Sequence, residues 1–343
     1  MNAMTPVPTV PNDWATDQEV RWCPGCGDYA ILKAVQRTMP DLDVARENTV
    51  FVSGIGCSSR FPYYMETYGF HTIHGRAPAV ATGIKLANPE LDVWIVTGDG
   101  DGLSIGGNHL LHLLRRNLDV QLLLFNNEIY GLTKGQYSPT SRTGTRSPTT
   151  PFGSVERPIS PCAFALGAGG RFVARTIDTA QKTMPDTLKR AHAHKGTSFV
   201  EIFQNCIVYN DDVFAAFTEK KSAPLNQLWC THGEPLLFAG GTKGIGLNRD
   251  TVELEVIDIV DGDLSQVLVH DEKNRVQAQL LVGMQFGDFP MALGIIYCDP
   301  APSFEAAVEA QRESVVAGKS TDLNALLRKG QSWEIKAKEL RPI

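Results

Sequence analysis

Two groups of residues in this chain have the type and spacing to do chemistry. The first is a carboxylate and an amide set among glycines. Gly98-Asp99-Gly100-Asp101-Gly102 follows the apolar run 91–97, and Asn126-Asn127 follows the apolar run 120–125. A carboxylate and a side-chain amide are oxygen donors, and glycines let a phosphate approach the backbone. Mg²⁺ favours such oxygen ligands and shares its shell with substrate phosphates. Between the two runs, residues 103–116 have helical periodicity. A strand–helix–strand unit favours a right-handed crossover between parallel strands, which returns Asp99 and Asn127 to the same sheet edge. A lone Gly-Asp-Gly would be weak, since Asp and Gly are ordinary turn residues. An EF-hand fails because Leu103 stands where another Asp or Asn belongs, and the dinucleotide pattern fails on spacing.

The second group is cysteine. The chain has seven, at 23, 26, 57, 162, 206, 230 and 298. Pro24-Gly25 makes a tight turn that points the sulfurs of Cys23 and Cys26 at one centre. Cys57 lies among glycines after a strand at 49–53, and Cys206 follows a strand at 198–204. Four cysteines at turns and strand ends can hold zinc or an iron–sulfur cluster, or Cys57 and Cys206 can be small buried residues. All three readings stay open from spacing alone. Cys162, Cys230 and Cys298 are assigned no role.

Elements must bring these groups together. Helical signals follow Asp28 (Ile31, Ala34, Val35, Met39) and recur at 77–86, 161–167 and 179–195. Strand signals recur at 49–53, 91–97, 120–125, 171–174 and 198–204. Strands alternating with helices predict an α/β fold with a parallel sheet, whose ligands bind outside the carboxyl ends of the strands. Asp99, Asn127, Cys57 and Cys206 should share that edge. Residues 134–160, rich in Gly, Pro, Ser, Thr and Arg, read as a long loop of the lid or partner-binding kind. The glycine run 240–246 reads as loop. Residues 251–260, 279–282 and 293–297 read as strands. The expected organisation is a flexible lead-in at 1–18, a cofactor-binding domain at 19–232 and a C-terminal extension at 233–343 packed on it.

The 343 residues carry a net charge of −6 without a dense Lys/Arg block, which argues against a nucleic-acid partner. No apolar run approaches the ~20 residues that span a bilayer. No signal peptide is evident, and the odd cysteine count argues against a disulfide framework. A cytoplasmic protein is expected.

The Gly-Asp-Gly closed by Asn-Asn resembles the binding motif for thiamine diphosphate (ThDP). With Cys-Pro-Gly-Cys-Gly-Asp at 23–28, Ile-Gly-Cys-Ser-Ser-Arg at 55–60, His-Gly-Arg-Ala at 74–77, Asn-Asn-Glu-Ile-Tyr-Gly-Leu-Thr-Lys-Gly-Gln at 126–136 and Asn-Cys at 205–206, the chain resembles the β subunit of the 2-oxoacid:ferredoxin oxidoreductases. The match covers roughly residues 18–215, and the C-terminal stretch looks like that subunit's extension.

The resemblance implies a ThDP-binding fold and three cofactors. Cys23, Cys26, Cys57 and Cys206 would hold one 4Fe–4S cluster. Asp99, Asn127 and the backbone carbonyl of Ile129 would hold Mg²⁺. Ile55, Gly56, Cys57, Ser58, His74, Gly75, Arg76, Ala77, Gly100, Asp101, Gly131 and Leu132 would meet ThDP. The implied reaction is coenzyme A-dependent oxidative decarboxylation of a 2-oxoacid with electrons to ferredoxin, or its reductive reverse. His74, Arg76 and Lys134 are the candidate catalytic residues. Lys134, in Leu-Thr-Lys-Gly-Gln, resembles the 2-oxoglutarate branch rather than the pyruvate branch, because a lysine can pair with a distal carboxylate; Arg60 could serve similarly. An α subunit is the implied partner, supplying the carboxylate that activates the aminopyrimidine and much of the substrate and coenzyme A surface.

Overall fold

In a computed structural model, which describes residues 9–319, 322–331 and 333, eleven strands form two sheets. The strands are β1 (Thr49–Ser53), β2 (Tyr68–His71), β3 (Asp92–Gly98), β4 (Gln121–Asn126), β5 (Phe172–Ile177), β6 (Ser198–Phe203), β7 (Gln227–Cys230), β8 (Leu237–Phe238), β9 (Lys243–Asn248), β10 (Glu253–Asp258) and β11 (Met291–Cys298). The main sheet runs β2-β1-β3-β4-β6-β5-β11-β7. From β2 to β5 all pairings are parallel; β11 runs antiparallel to β5 and parallel to β7. The expected parallel α/β fold is what forms.

Alternation along each strand builds two cores, one per sheet face, because successive side chains point to opposite faces. Val50, Val52, Val93, Ile95, Leu122 and Leu124 face one side, with helices Ala77–Ala87 and Gly107–Arg116 over them. Phe51, Trp94, Val96, Leu123 and Phe125 face the other, with helices Asp28–Thr38 and Met184–Ala193. Buried on both faces, the strands read as near-continuous apolar runs.

The expected crossover is present: β3 and β4 are adjacent and parallel, with Gly98 opposite Phe125. Its helical part is broken into Asp99–Leu103 and Gly107–Arg116. The break lets Gly75 pack on Gly106, where a Cβ on Gly75 would stand 2.4 Å from the Gly106 backbone.

Several expectations are corrected. Residues 279–282 are not a strand but part of helix Arg275–Gly283. Asn274 caps it by accepting from the Val276 and Gln277 amides, and Ala278, Leu281 and Val282 bury one helical face. The helix expected over 179–195 starts only at Met184, after turns that place Gln181 on Ala30. The glycine run 240–246 is not all loop, since its second half is β9 paired antiparallel with β10. Exposed β2 is only four residues long and was not expected.

Residues 1–8 of the expected lead-in lie outside the described residues. The rest is anchored: Pro11–Trp14 form a 3₁₀ turn, and Trp14 is wholly buried. The boundary expected at 232/233 marks no break, because β11 enters the main sheet between β5 and β7. Among the described residues, those up to Phe304 form one compact unit and those from Glu305 onward a second. The second contains helix Leu323–Leu327, capped by Asp322, and most of helix Phe304–Val316. Among the described residues no helix is long and apolar enough to cross a membrane.

Candidate active site

The carboxyl ends of β1, β3, β4 and β6 open on one edge, and the chemistry-bearing residues lie just beyond them. A cavity of about 130 Å³ is lined by Ile55, Gly56, Cys57, Ser58, His74, Asp99, Gly100, Asp101, Asn127, Ile129, Gly131 and Leu132. Twelve residues expected around cation and cofactor therefore meet at one place.

Asp99 starts the helix after β3 and is buried. Its Oδ2 accepts hydrogen bonds from Ser138 Oγ at 2.6 Å and Thr140 Oγ1 at 2.5 Å. Burial pushes its carboxyl up to about 6, and those two hydroxyls work against the shift. Asn127 is oriented from both ends of its amide: Nδ2 donates to Gln204 Oε1 at 2.8 Å, and Oδ1 accepts from the Ile129 amide at 3.2 Å.

Asp101 has a different place from a simple cofactor contact. Its Oδ1 accepts from the Gly75 amide at 2.7 Å and the Ile55 amide at 3.2 Å, and its Oδ2 accepts from Thr97 Oγ1 at 2.7 Å. One buried carboxylate thus ties the loop after β1 and the loop before helix Ala77–Ala87 to the end of β3. Burial raises its pKa, while Thr97 and the two amides act in the opposite sense.

Gly75, Arg76 and Ala77 do not line this cavity. Arg76 faces a neighbouring surface groove with Ile73, Ala79 and Val80, and Ala77 is buried at a helix start. Tyr130, Ile105, Phe125, Thr133 and Gln204 line the cavity and were not expected. Tyr130 covers Gly100: its hydroxyl donates to the Gly100 carbonyl at 3.2 Å, and a Cβ on Gly100 would stand 2.2 Å from the ring. Tyr130 sits within the 126–136 motif, so its neighbourhood was legible, but not the residue it covers.

Ser138, Thr140 and Ser141 were also missed. They fasten the long loop to the site, since Ser141 Oγ donates to the Glu128 carbonyl beside the two bonds to Asp99. Their signal was the density of hydroxyl residues in a loop following Asn-Asn.

A second cavity of about 210 Å³ adjoins the first and shares Cys57, Asn127, Gly131, Leu132 and Gln204 with it. It is lined by Cys23, Cys26, Cys57 and Cys206. The Cys23–Cys26 turn closes with a Cys26 amide to Cys23 carbonyl bond at 3.0 Å. Gly25 within it has φ +86°, a left-handed conformation that favours glycine, and a Cβ there would stand 2.8 Å from Ile207 Cδ1. A Cβ on Gly131 would lie 3.5 Å from Cys206 Sγ and 3.7 Å from Cys57 Sγ, so both sulfurs face one small gap.

Burial pushes the Cys57 thiol up to about 12, with Asp28, Cys206 and Cys23 adding to it. Burial, then Asp28, holds Cys26 above the ordinary thiol range. All seven cysteines are free. Among the described residues no three His, Cys, Asp or Glu side chains stand close enough together to hold a metal ion in this arrangement. The donor chemistry nevertheless suits two groups: four free thiols on one cavity wall for a thiophilic centre, and a carboxylate beside an amide for a hard cation.

Lys134 lines the cysteine cavity rather than the Asp99 cavity. It is exposed, with φ +76°. Arg60 lies on the same wall, and His74 is exposed at the rim of the first cavity. Cys162, given no role from sequence, is buried and its Sγ lies 3.1 Å from Glu201 Oε2.

Comparison with known proteins fits this geometry. The chain is 45% identical over 338 residues to the 2-oxoglutarate oxidoreductase subunit KorB of Mycobacterium tuberculosis, covering 96% of this chain and 90% of that one. This chain belongs to the β subunits of the 2-oxoacid:ferredoxin oxidoreductases. A family model described as the C-terminal TPP-binding domain of thiamine pyrophosphate enzymes matches residues 54–202 of this β subunit. A 2-oxoacid:ferredoxin oxidoreductase β subunit of Aeropyrum pernix is 48% identical over 196 residues, 57% of this chain and 62% of its own length. Among solved structures, a 2-oxoglutarate:ferredoxin oxidoreductase from Magnetococcus marinus with 2-oxoglutarate, coenzyme A and succinyl-CoA bound superposes with a TM-score of 0.75. It is 32% identical and covers 94% of this chain and 97% of that one.

Proposed function

We propose that this β subunit serves a 2-oxoglutarate:ferredoxin oxidoreductase, holding ThDP, Mg²⁺ and one 4Fe–4S cluster, and forming succinyl-CoA and CO₂ from 2-oxoglutarate and coenzyme A or running the reverse. The observation that carries this reading is the shared wall. A cavity with Asp99, Asn127 and a glycine floor abuts a cavity with four cysteines, and Cys57 and Gly131 belong to both. ThDP supplies the electron sink for decarboxylation, and an iron–sulfur cluster the one-electron relay.

This chain's own part is to bind and orient. Asp99 and Asn127 offer oxygen ligands on the same edge, and Asn127 is already oriented by Gln204 and the Ile129 amide. Asp101 holds the flanking loops so that Ile55, Gly56 and Ser58 stay at the cavity. Tyr130 and Leu132 shield it from one side. Cys57, Cys206 and the Cys23–Cys26 turn would close on the cluster. Of the four, Cys23 is the exposed one. A partner completes the site, as the β-subunit name of the Aeropyrum pernix relative implies. That partner is the α subunit, and ferredoxin is the electron acceptor. The chain is therefore half an active site and does not turn over alone. A cytoplasmic location fits this assembly.

A second reading, a pyruvate or broad 2-oxoacid enzyme, is favoured by one observation: Lys134 lies on the cysteine cavity, away from the Asp99 lining. The test is anaerobic viologen reduction by the complex with its α subunit, with coenzyme A and either 2-oxoglutarate or pyruvate. Selective reduction with 2-oxoglutarate, lost in Lys134→Ala, supports the first reading. Equal rates establish the second. A colourless complex, or one in which Cys57→Ser leaves iron and labile sulfide unchanged, refutes the cluster assignment.

A further inference from the structure

The long loop 134–160 does more than cover the site. Two of its hydroxyls reach Asp99, which would face a cation, and a third braces them. Ser138 Oγ and Thr140 Oγ1 both fall on Asp99 Oδ2, and both residues are buried. Thr140 Oγ1 also lies 3.0 Å from Asn126 Oδ1, and Asn126 Nδ2 donates to Glu201 Oε1 at 2.8 Å. Ser138 and Ser141 brace each other: Ser141 Oγ accepts from the Ser138 amide at 2.7 Å, and their hydroxyl oxygens stand 3.3 Å apart.

A carboxylate that binds a cation well must present one oxygen at a set angle. Both hydroxyls load Oδ2, so rotation of the carboxylate is locked and Oδ1 carries neither bond. Hydrogen bonds to a ligating carboxylate orient it and commonly change metal affinity by about 10–100-fold when removed. We propose that Ser138 and Thr140 are positioning residues of the cation–diphosphate site, locking Asp99 through Oδ2. This rests on the reading of Asp99 as a cation ligand.

The test uses the complex with its α subunit and calorimetric titration of Mg²⁺ with ThDP. Thr140→Val keeps the side-chain shape and removes the hydroxyl; Ser138→Ala is the milder companion. The expected result is a Mg²⁺–ThDP affinity weakened about tenfold or more in each variant, with iron content unchanged. Thr140→Ser restores the hydroxyl and should restore the affinity. Should Thr140→Val fail to fold, Ser138→Ala carries the same expectation with Thr140 in place. Variants that bind as the native complex does, or that lose only thermal stability, overturn the proposal. A native complex that binds no Mg²⁺–ThDP instead overturns the function reading and this proposal with it.

Discussion

Glu201 and Arg175 face each other across β6 and β5, buried at 1% and 6% exposure. Glu201 Oε2 accepts from Arg175 Nε at 2.8 Å and lies 3.1 Å from Cys162 Sγ, while Oε1 accepts from Asn126. Both oxygens of this carboxylate meet a donor. Burial works against the Arg175 charge, but Glu201 and then Cys162 more than offset it, so its pKa is held above the usual range. Besides Glu201 and Cys162, Arg175 Nη1 lies 3.4 Å from the Ala292 carbonyl and from Met291 Sδ, and its guanidinium lies 5.6 Å from the Phe203 ring. Glu201→Gln removes the carboxylate paired with it and sets an amide NH₂ among donors. Breaking a buried pair from one side costs about 3–5 kcal/mol. For a chain of this size, whose unfolding entropy is about 2.1 cal/mol/K per residue, that lowers the melting temperature by roughly 4–7 °C. Removing both charges, with Arg175→Met and Glu201→Leu together, should be far milder, since a buried pair replaced by apolar groups is often neutral. Differential scanning calorimetry of the three proteins reads this. The reasoning is refuted if Glu201→Gln melts within about 2 °C of the native protein, or if the double variant is the worse of the two.

Gly100→Ala should abolish ThDP binding by calorimetry while leaving the circular dichroism spectrum intact, because the new Cβ would stand 2.2 Å from the Tyr130 ring that lines the cavity; undiminished binding would show that Tyr130 can swing away at little cost. His270 is buried and its Nε2 lies 2.8 Å from the Ile295 carbonyl, and burial lowers its pKa below the ordinary value. The unfolded chain therefore binds the proton first as pH falls through about 6.5, so this residue's contribution is present above that pH and lost below it. Burial acts oppositely at Glu128, pushed up to about 7, whose contribution declines as pH rises from its unfolded value. The stability advantage of the native protein over His270→Gln should accordingly shrink between pH 7.5 and about 5.5, and a difference that stays flat across that range would rule the histidine out.

Much of the site was legible because its residues follow strand ends. Apolar runs at 91–97 and 120–125 announced β3 and β4, and the crossover rule alone brought Asp99 and Asn127 to one edge. The errors arose where local signals were silent. The capped amphipathic helix Arg275–Gly283 resembled a strand because its buried Leu281 and Val282 are adjacent in sequence. The expectation that Asp101 meets the cofactor could not reveal that Gly75, Ile55 and Thr97 take up its oxygens.

What the sequence by itself determined, then, is the alternation of strands and helices through the central sheet, the sheet edge on which the chemistry lies, and the identity of the oxygen and sulfur donors. Strand alternation and the handedness of a crossover are local or near-local consequences of backbone geometry. Only the tertiary structure decided that β11 returns into the main sheet, that Lys134 lies on the cysteine side, and that Ser138 and Thr140 reach Asp99 across 39 and 41 residues. Those contacts are made by side chains from a loop without periodicity, whose path is set by the packing it crosses and not by any repeat in its own residues.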